Sequence, residues 1–180
     1  DLLKYNTVKP EFLLKDNWKT GDSIKWIELG HTLERIRDEG RAGFYEGKTA
    51  QDIIAEMTRG KGLITLEDLK NYSAAWREPI IANYKEYKVI SMPPSSSGGV
   101  CLIQLLKSVE PYPIKAWGFN TAETIHLMTE AERRVYADRS IYLGDPDFFK
   151  VPLKQMIDDQ YNDERMSTFN PNKATPSGEV

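Results

Sequence analysis

The sequence predicts a mainly helical chain with one small antiparallel β-hairpin. Three observations lead there. Apolar residues recur at spacings of three and four through most of the chain, only one stretch is dense in β-branched and aromatic residues, and glycines and prolines fall where helices should stop. One hairpin is too little sheet to build a core alone, so the helices must do most of the burying.

After a polar and aromatic lead-in, Asp22 or Ser23 is placed to cap a first helix. Its Trp26, Leu29, Leu33 and Ile36 fall at spacings of three, four and three, and Gly40 stands at its end. RAGFYEGKTAQDIIAEMTRGKG supplies a second helix, with Ala50, Ile53, Ile54 and Met57 on one side and Gly60 and Gly62 closing it. In LITLEDLKNY, Thr65 caps a short third helix, Asp68 answers it three positions on, and Ile64 faces Leu69 as a staple. Between Pro79 and Pro93 the character changes to two short strands, a hairpin near 80–92 that turns at Lys85 and Glu86.

SMPPSSSGGVCLIQLLKSV then leads into a helix from Val100 to Val109, apolar nearly all round and therefore expected to be buried on most sides, with Pro111 and Pro113 beyond its end. The longest helix takes Asn120 as its cap and Glu123 at the capping-box position. It presents Ile125, Met128, Glu132, Val135 and Arg139 as a partly charged stripe and stops at Gly144, Asp145 and Pro146. LKQMI and YNDERM read as short later helices. The tail FNPNKATPSGEV is polar and aperiodic, and reads as a flexible linker. No internal repeat is visible.

Composition narrows the function. Of 180 residues, 24 are basic and 27 acidic, a net charge of −3 that gives no basic footprint for nucleic acid. No apolar run approaches the ~20 residues of a membrane helix. DLLKYNTVKP lacks the basic-then-apolar layout of a signal peptide, and a chain that starts at Asp1 and ends in PSGEV is expected to be a processed or truncated piece. The single cysteine, Cys101, rules out an internal disulfide and a multi-cysteine metal site, and within an apolar run it reads as a small buried side chain.

Ser95, Ser96, Ser97, Gly98 and Gly99 pose the main chemical question: phosphate cradle, nucleophile, or helix start. Free N–H groups at a helix mouth suit an anion. No lysine follows Gly99, though, and neither G-x-G-x-x-G nor the G-x-S-x-G elbow is present. The only histidines, His31 and His126, lie on predicted helices and read as ordinary helix residues. Capping and close backbone packing is the favoured role for the serines and glycines. Asp138, Asp145 and Asp147 gather at one helix end without the spacing of a calcium loop, and with Arg139 alongside they read as an ion-pair and turn network. Glu130, Glu132, Arg133 and Arg134 read as surface pairs on their helix. An exposed apolar face on the Val100 helix would instead suit a non-catalytic interaction module.

The order AGFYEGKTAQDIIAEM, GLITLEDLKNY, SMPPSSSGG and TEAERRVYADRSIYLGDPDF closely resembles the γ-glutamyltranspeptidase family over nearly the whole chain. Ser95 stands where a third proline is common, and Glu86 where the hairpin turn often has glycine. The resemblance implies a segment of the large subunit of an N-terminal-nucleophile hydrolase, an αββα precursor that cuts itself so that a threonine leads the small subunit. Residues 1–168 would be the helical segment of the large subunit and 169–180 a tail leading to the cleavage junction. That threonine would attack a γ-glutamyl amide such as glutathione, and the acyl-enzyme would pass to an amino acid or water. The family's nucleophile and oxyanion glycines belong to the small subunit, and its carboxylate-binding arginine lies earlier in the large subunit. No catalytic, substrate-binding or metal-ligating residue is therefore nominated here; Thr168 and Thr175 lack the expected threonine-rich context, and Ser96, Ser97, Gly98 and Gly99 read as scaffold. No cofactor is expected. The resemblance also implies the small subunit as partner, a periplasmic, secreted or cell-surface location, and, as alternative substrates, β-lactam acyl groups or poly-γ-glutamate.

Overall fold

The computed structural model describes Lys9 and residues 11–180, so the leading decapeptide, Lys9 apart, lies outside the described residues. The chain divides into two compact units, Asp1–Ala75 and Trp76–Val180.

In the first unit, helices α1 (Ile27–Glu39), α2 (Ala42–Tyr45), α3 (Gly47–Gly60) and α4 (Leu66–Asn71) follow in order. Helix α1 starts later than its expected cap. Trp26 holds the cap position with no side-chain bond, because the Asp22 carboxylate is already engaged upstream, accepting from the Lys19 N–H at 2.7 Å and Lys15 Nζ at 2.6 Å. Trp26, Leu29 and Leu33 are exposed rather than buried. Helix α2 crosses close to α1 at Gly43, where a Cβ would overlap the Arg35 carbonyl. Buried Thr49 fixes this corner, donating to Gly43 O at 2.7 Å and accepting from Arg35 Nε at 2.9 Å.

Ala50 on α3 is fully buried and Ile53, Ile54 and Met57 partly so, as the spacing predicts. The left-handed residue that ends α3 is Lys61 (φ 54°), not a glycine, and its N–H reaches the Met57 and Thr58 carbonyls. Thr65 and Asp68 form the expected reciprocal capping box at the start of α4. Gly30 sits inside α1, and a Cβ placed on it would have no neighbour within 4 Å. Gly30→Ala should therefore stabilise this unit by about 1 kcal/mol through helix propensity alone, read as an upward shift in the denaturation midpoint; an unchanged or lower midpoint would contradict the open environment.

The second unit opens with the hairpin, β1 (Ile80–Tyr84) and β2 (Tyr87–Ser91), in the register Ile80↔Ser91, Ala82↔Val89 and Tyr84↔Tyr87. Its two-residue turn places the positive φ (51°) on Lys85 rather than Glu86, and the Lys85 N–H donates to Glu110 Oε1 at 2.5 Å. Next come α5 (Gly98–Val109), α6 (Ile114–Trp117), α7 (Ala122–Tyr142), α8 (Leu153–Met156) and α9 (Asp159–Met166). Helix α5 is central, packing against both strands, α7, α8 and α9. One core cluster joins Ile80, Val100, Ile103 and Met156; the other joins Val109, Leu127, Ala131 and Met166 under Tyr112, Trp117 and Phe169.

Helix α7 departs from expectation in two ways. Its cap is Thr121, whose hydroxyl accepts from the Thr124 N–H, while Asn120 precedes it with φ 54°. Its inward stripe is also different: Ile125, Met128, Glu132 and Arg139 face outward, and the buried positions are Leu127, Ala131 and Val135 beside Glu130, Arg134 and Asp138. An apolar-only reading follows the wrong face when half the buried row is charged.

Candidate functional site

The buried half of α7 carries a continuous set of polar groups in the second unit, Glu130, Arg134 and Asp138. Glu130 and Arg134, four residues apart and therefore neighbours on one helix face, form an ion pair at 2.7 Å with both side chains 2% exposed. This overturns the reading of them as surface pairs. All five guanidinium N–H groups of Arg134 find acceptors. Nε donates to Arg165 O at 2.8 Å, and Nη1 to Glu130 O and Oε2 at 2.9 and 2.7 Å. Nη2 donates to the hydroxyls of Thr168 at 2.9 Å and Thr175 at 3.1 Å.

The Glu130 carboxylate is equally occupied. Oε1 accepts from Arg133 Nη1 at 2.6 Å and the Thr175 N–H at 3.3 Å; Oε2 accepts from the Thr175 hydroxyl at 2.6 Å as well as from Arg134. Arg133 continues to Thr175 O at 2.7 Å and Ser177 Oγ at 3.2 Å. Burial pushes the Glu130 carboxyl upward, but the bonds from Arg134, Thr175 and Arg133 outweigh it and hold it at about 2. The site thus grips Thr168, at the end of the helical segment, and Thr175 and Ser177 of the expected tail, residues 169–180.

One turn further along α7, Asp138 is buried and accepts from Gln104 Nε2 at 3.2 Å and the Tyr161 hydroxyl at 3.0 Å, with Arg165 Nε at 3.1 Å. Burial first, and then the neighbouring Asp138 carboxylate, push the Tyr161 phenol up to about 12, so it acts as a donor at neutral pH. This set ties α5, α7 and α9 together. The three aspartates do not converge: Asp145 shapes a turn by accepting from the Asp147 N–H at 3.0 Å, and Asp147 pairs with Arg77 at 2.6 Å.

The serine and glycine corner is a packing device. Ser97 precedes α5 without capping it through its side chain; its hydroxyl instead accepts from Arg139 Nε at 3.0 Å, while Ser96 Oγ accepts from the Gly98 N–H at 3.3 Å. The expected serine cap is corrected accordingly. What fixes the helix start is Gly99, which lies so close to the backbone of Met92 at the end of the hairpin that a Cβ would overlap the Met92 carbonyl oxygen. Cys101 is buried, and burial pushes its thiol above the ordinary value. His126 bonds Asn170 O at 2.9 Å and packs on Phe169, and exposed His31 lies 3.7 Å from Glu28. Neither histidine meets a serine, threonine or cysteine side chain among the bonds of the described residues. Among the described residues no cluster of histidine, cysteine, aspartate or glutamate is arranged for a metal ion.

Sequence reasoning missed Glu130, Arg134, Asp138 and Gln104 as interior groups. The signal was available: 130, 134 and 138 step by four alongside 127, 131 and 135, two adjacent rows on one helix face.

The solved structure of Helicobacter pylori γ-glutamyltranspeptidase superimposes on this chain with a TM-score of 0.82 at 40% identity, over 91% of this chain and 47% of that one. That likeness sets the class: the fold is the helical portion of an N-terminal-nucleophile hydrolase. The glutathione hydrolase proenzyme of Escherichia coli (strain K12) is 44% identical over 162 residues, and the Acylase ACY 1 proenzyme of Pseudomonas sp. (strain V22) is 41% identical over 134 residues, covering 90% and 74% of this chain. The gamma-glutamyltranspeptidase family model matches residues 2–179, and the chain belongs to that family. It spans 28% of the length of the Escherichia coli relative and 24% of the acylase.

Proposed function

We propose that this chain forms the later part of the large subunit of a γ-glutamyltransferase or glutathione hydrolase, made as a precursor that cuts itself into two subunits. The family match across residues 2–179 carries this reading. In the chemistry that membership implies, the threonine leading the small subunit attacks the γ-glutamyl amide carbonyl, and its own α-amine takes up the hydroxyl proton. The acyl-enzyme then passes to water or an amino acid while backbone N–H groups stabilise the oxyanion.

This chain contributes support. The hydroxyls of Ser97 and Thr168 accept from arginines, and that of Thr175 donates to a carboxylate held at about 2, too weak a base to activate it, which fits a scaffold role. The partner is the small subunit of the same precursor, no cofactor takes part, and the enzyme works in the periplasm, outside the cell or at its surface. No helix among the described residues is long and apolar enough to cross a membrane.

The full precursor, once cleaved, is expected to release chromophore from a chromogenic γ-glutamyl anilide, whereas residues 1–180 alone release none above buffer. Turnover by the isolated chain would overturn the division of roles. The acylase relative favours a second reading, in which the same fold removes a different acyl group. Activity of the cleaved enzyme on acyl amides together with none on glutathione would select it.

A further inference from the structure

The Glu130–Arg134 pair does more than join two helices. A buried ion pair contributes less to stability than well-packed apolar residues of similar volume, so its presence calls for a role that apolar side chains cannot fill. Apolar contacts are non-directional; these hydrogen bonds are not. Apart from the bonds of α7 to itself and the Arg134 bond to Arg165 O, every bond of Glu130, Arg133 and Arg134 described above goes to residues 168–177. Thr175 is held at its N–H, its hydroxyl and its carbonyl at once. With the backbone groups on both sides of its Cα and its side chain all fixed, the register and direction of the chain here are set.

We propose that Glu130, Arg133 and Arg134 are positioning residues for self-cleavage, acting through Thr175 as a clasp that fixes the course on which the chain leaves this unit. The inference rests on the precursor reading above, in which the junction lies beyond this segment. Self-cleavage adds one water across one peptide bond, leaving a carboxylate on the upstream chain and an amine on the downstream threonine. The attacking atom must be held ~3–3.5 Å from the scissile carbonyl. A released segment spreads as ~5–6 Å times the square root of its length. A fixed point at Thr175 shortens the free stretch and narrows the volume that the junction explores.

The test uses the full-length precursor, followed by gel over time for conversion into two chains. Thr175→Val removes the hydroxyl while keeping the shape, and is expected to slow conversion about tenfold or more. Thr175→Ser restores the hydroxyl and should restore the rate, a rescue that a merely space-filling role would not give. Arg133→Met, at the partly exposed edge of the clasp, leaves the buried pair intact and should also slow conversion, with a thermal midpoint close to that of the parent. A parent precursor that cleaves while Thr175→Val and Arg133→Met cleave equally fast would overturn the clasp alone. A parent precursor that never cleaves would overturn the precursor reading, and the clasp with it.

Discussion

Replacing Glu130 by alanine is expected to cost about 3–5 kcal/mol of folding stability, the range for breaking a buried ion pair from one side. The loss comes less from the missing attraction than from what remains: the Arg134 guanidinium, 2% exposed, would lose its countercharge with no water to replace it. Substitution of both residues by apolar partners should be far milder, because no charge is then left buried. The same carboxylate gives stability a pH signature. Its folded-state value of about 2 lies below the ordinary 4.5, so the unfolded chain binds this proton more readily than the folded one. The contribution is complete above about pH 4.5 and falls away as the pH drops towards 2. Denaturation midpoints measured from about pH 7 down to about 2 should decline more steeply in the parent than in Glu130→Gln; parallel curves would show that Glu130 is not held as the geometry requires.

Gly99→Ala is expected to be the most damaging single-methyl change at the hairpin–helix corner. The new Cβ would overlap the Met92 carbonyl oxygen and stand 3.0 Å from the Met92 N and C atoms, all of them backbone and unable to swing aside as a side chain would. Either α5 withdraws from the hairpin or the end of β2 bends, and either movement opens the cluster around Ile80, Val100 and Ile103. Overpacking of this kind costs about 3 kcal/mol or more when the neighbour is rigid. The adjacent Gly98→Ala supplies the control, since its nearest neighbour is Ser96 Oγ at 3.6 Å. Similar urea midpoints for the two variants would refute the close approach.

These two sites also show where the sequence was readable. Turn chemistry and apolar spacing located the hairpin and α5, and the Thr65–Asp68 box was recognisable because both partners are local. The crowding at Gly99 was not legible from spacing, since it depends on Met92 arriving from another element. Helix α7 misled for a different reason. Ile125 and Met128 look like core, yet both are exposed, and the interior is filled by a glutamate and two further ionisable residues whose partners lie 3 to 45 positions away. Hydrophobicity cannot announce a buried charge; only the four-residue step of 130, 134 and 138 beside an apolar row hints at it. The Ser97 hydroxyl was likewise assigned to the nearest helix, whereas it serves Arg139, 42 residues on. For the family itself, four ordered segments carried the reading without any of these contacts.

Thr175 follows Glu130 by 45 residues. During synthesis the long helix leaves the ribosome well before the threonine that will lock onto it, so the lock closes only once that downstream stretch has emerged. Whatever event depends on the lock can then begin no earlier than the emergence of residue 175: the order of translation sets a minimum delay between the making of the helix and the closing of its contacts.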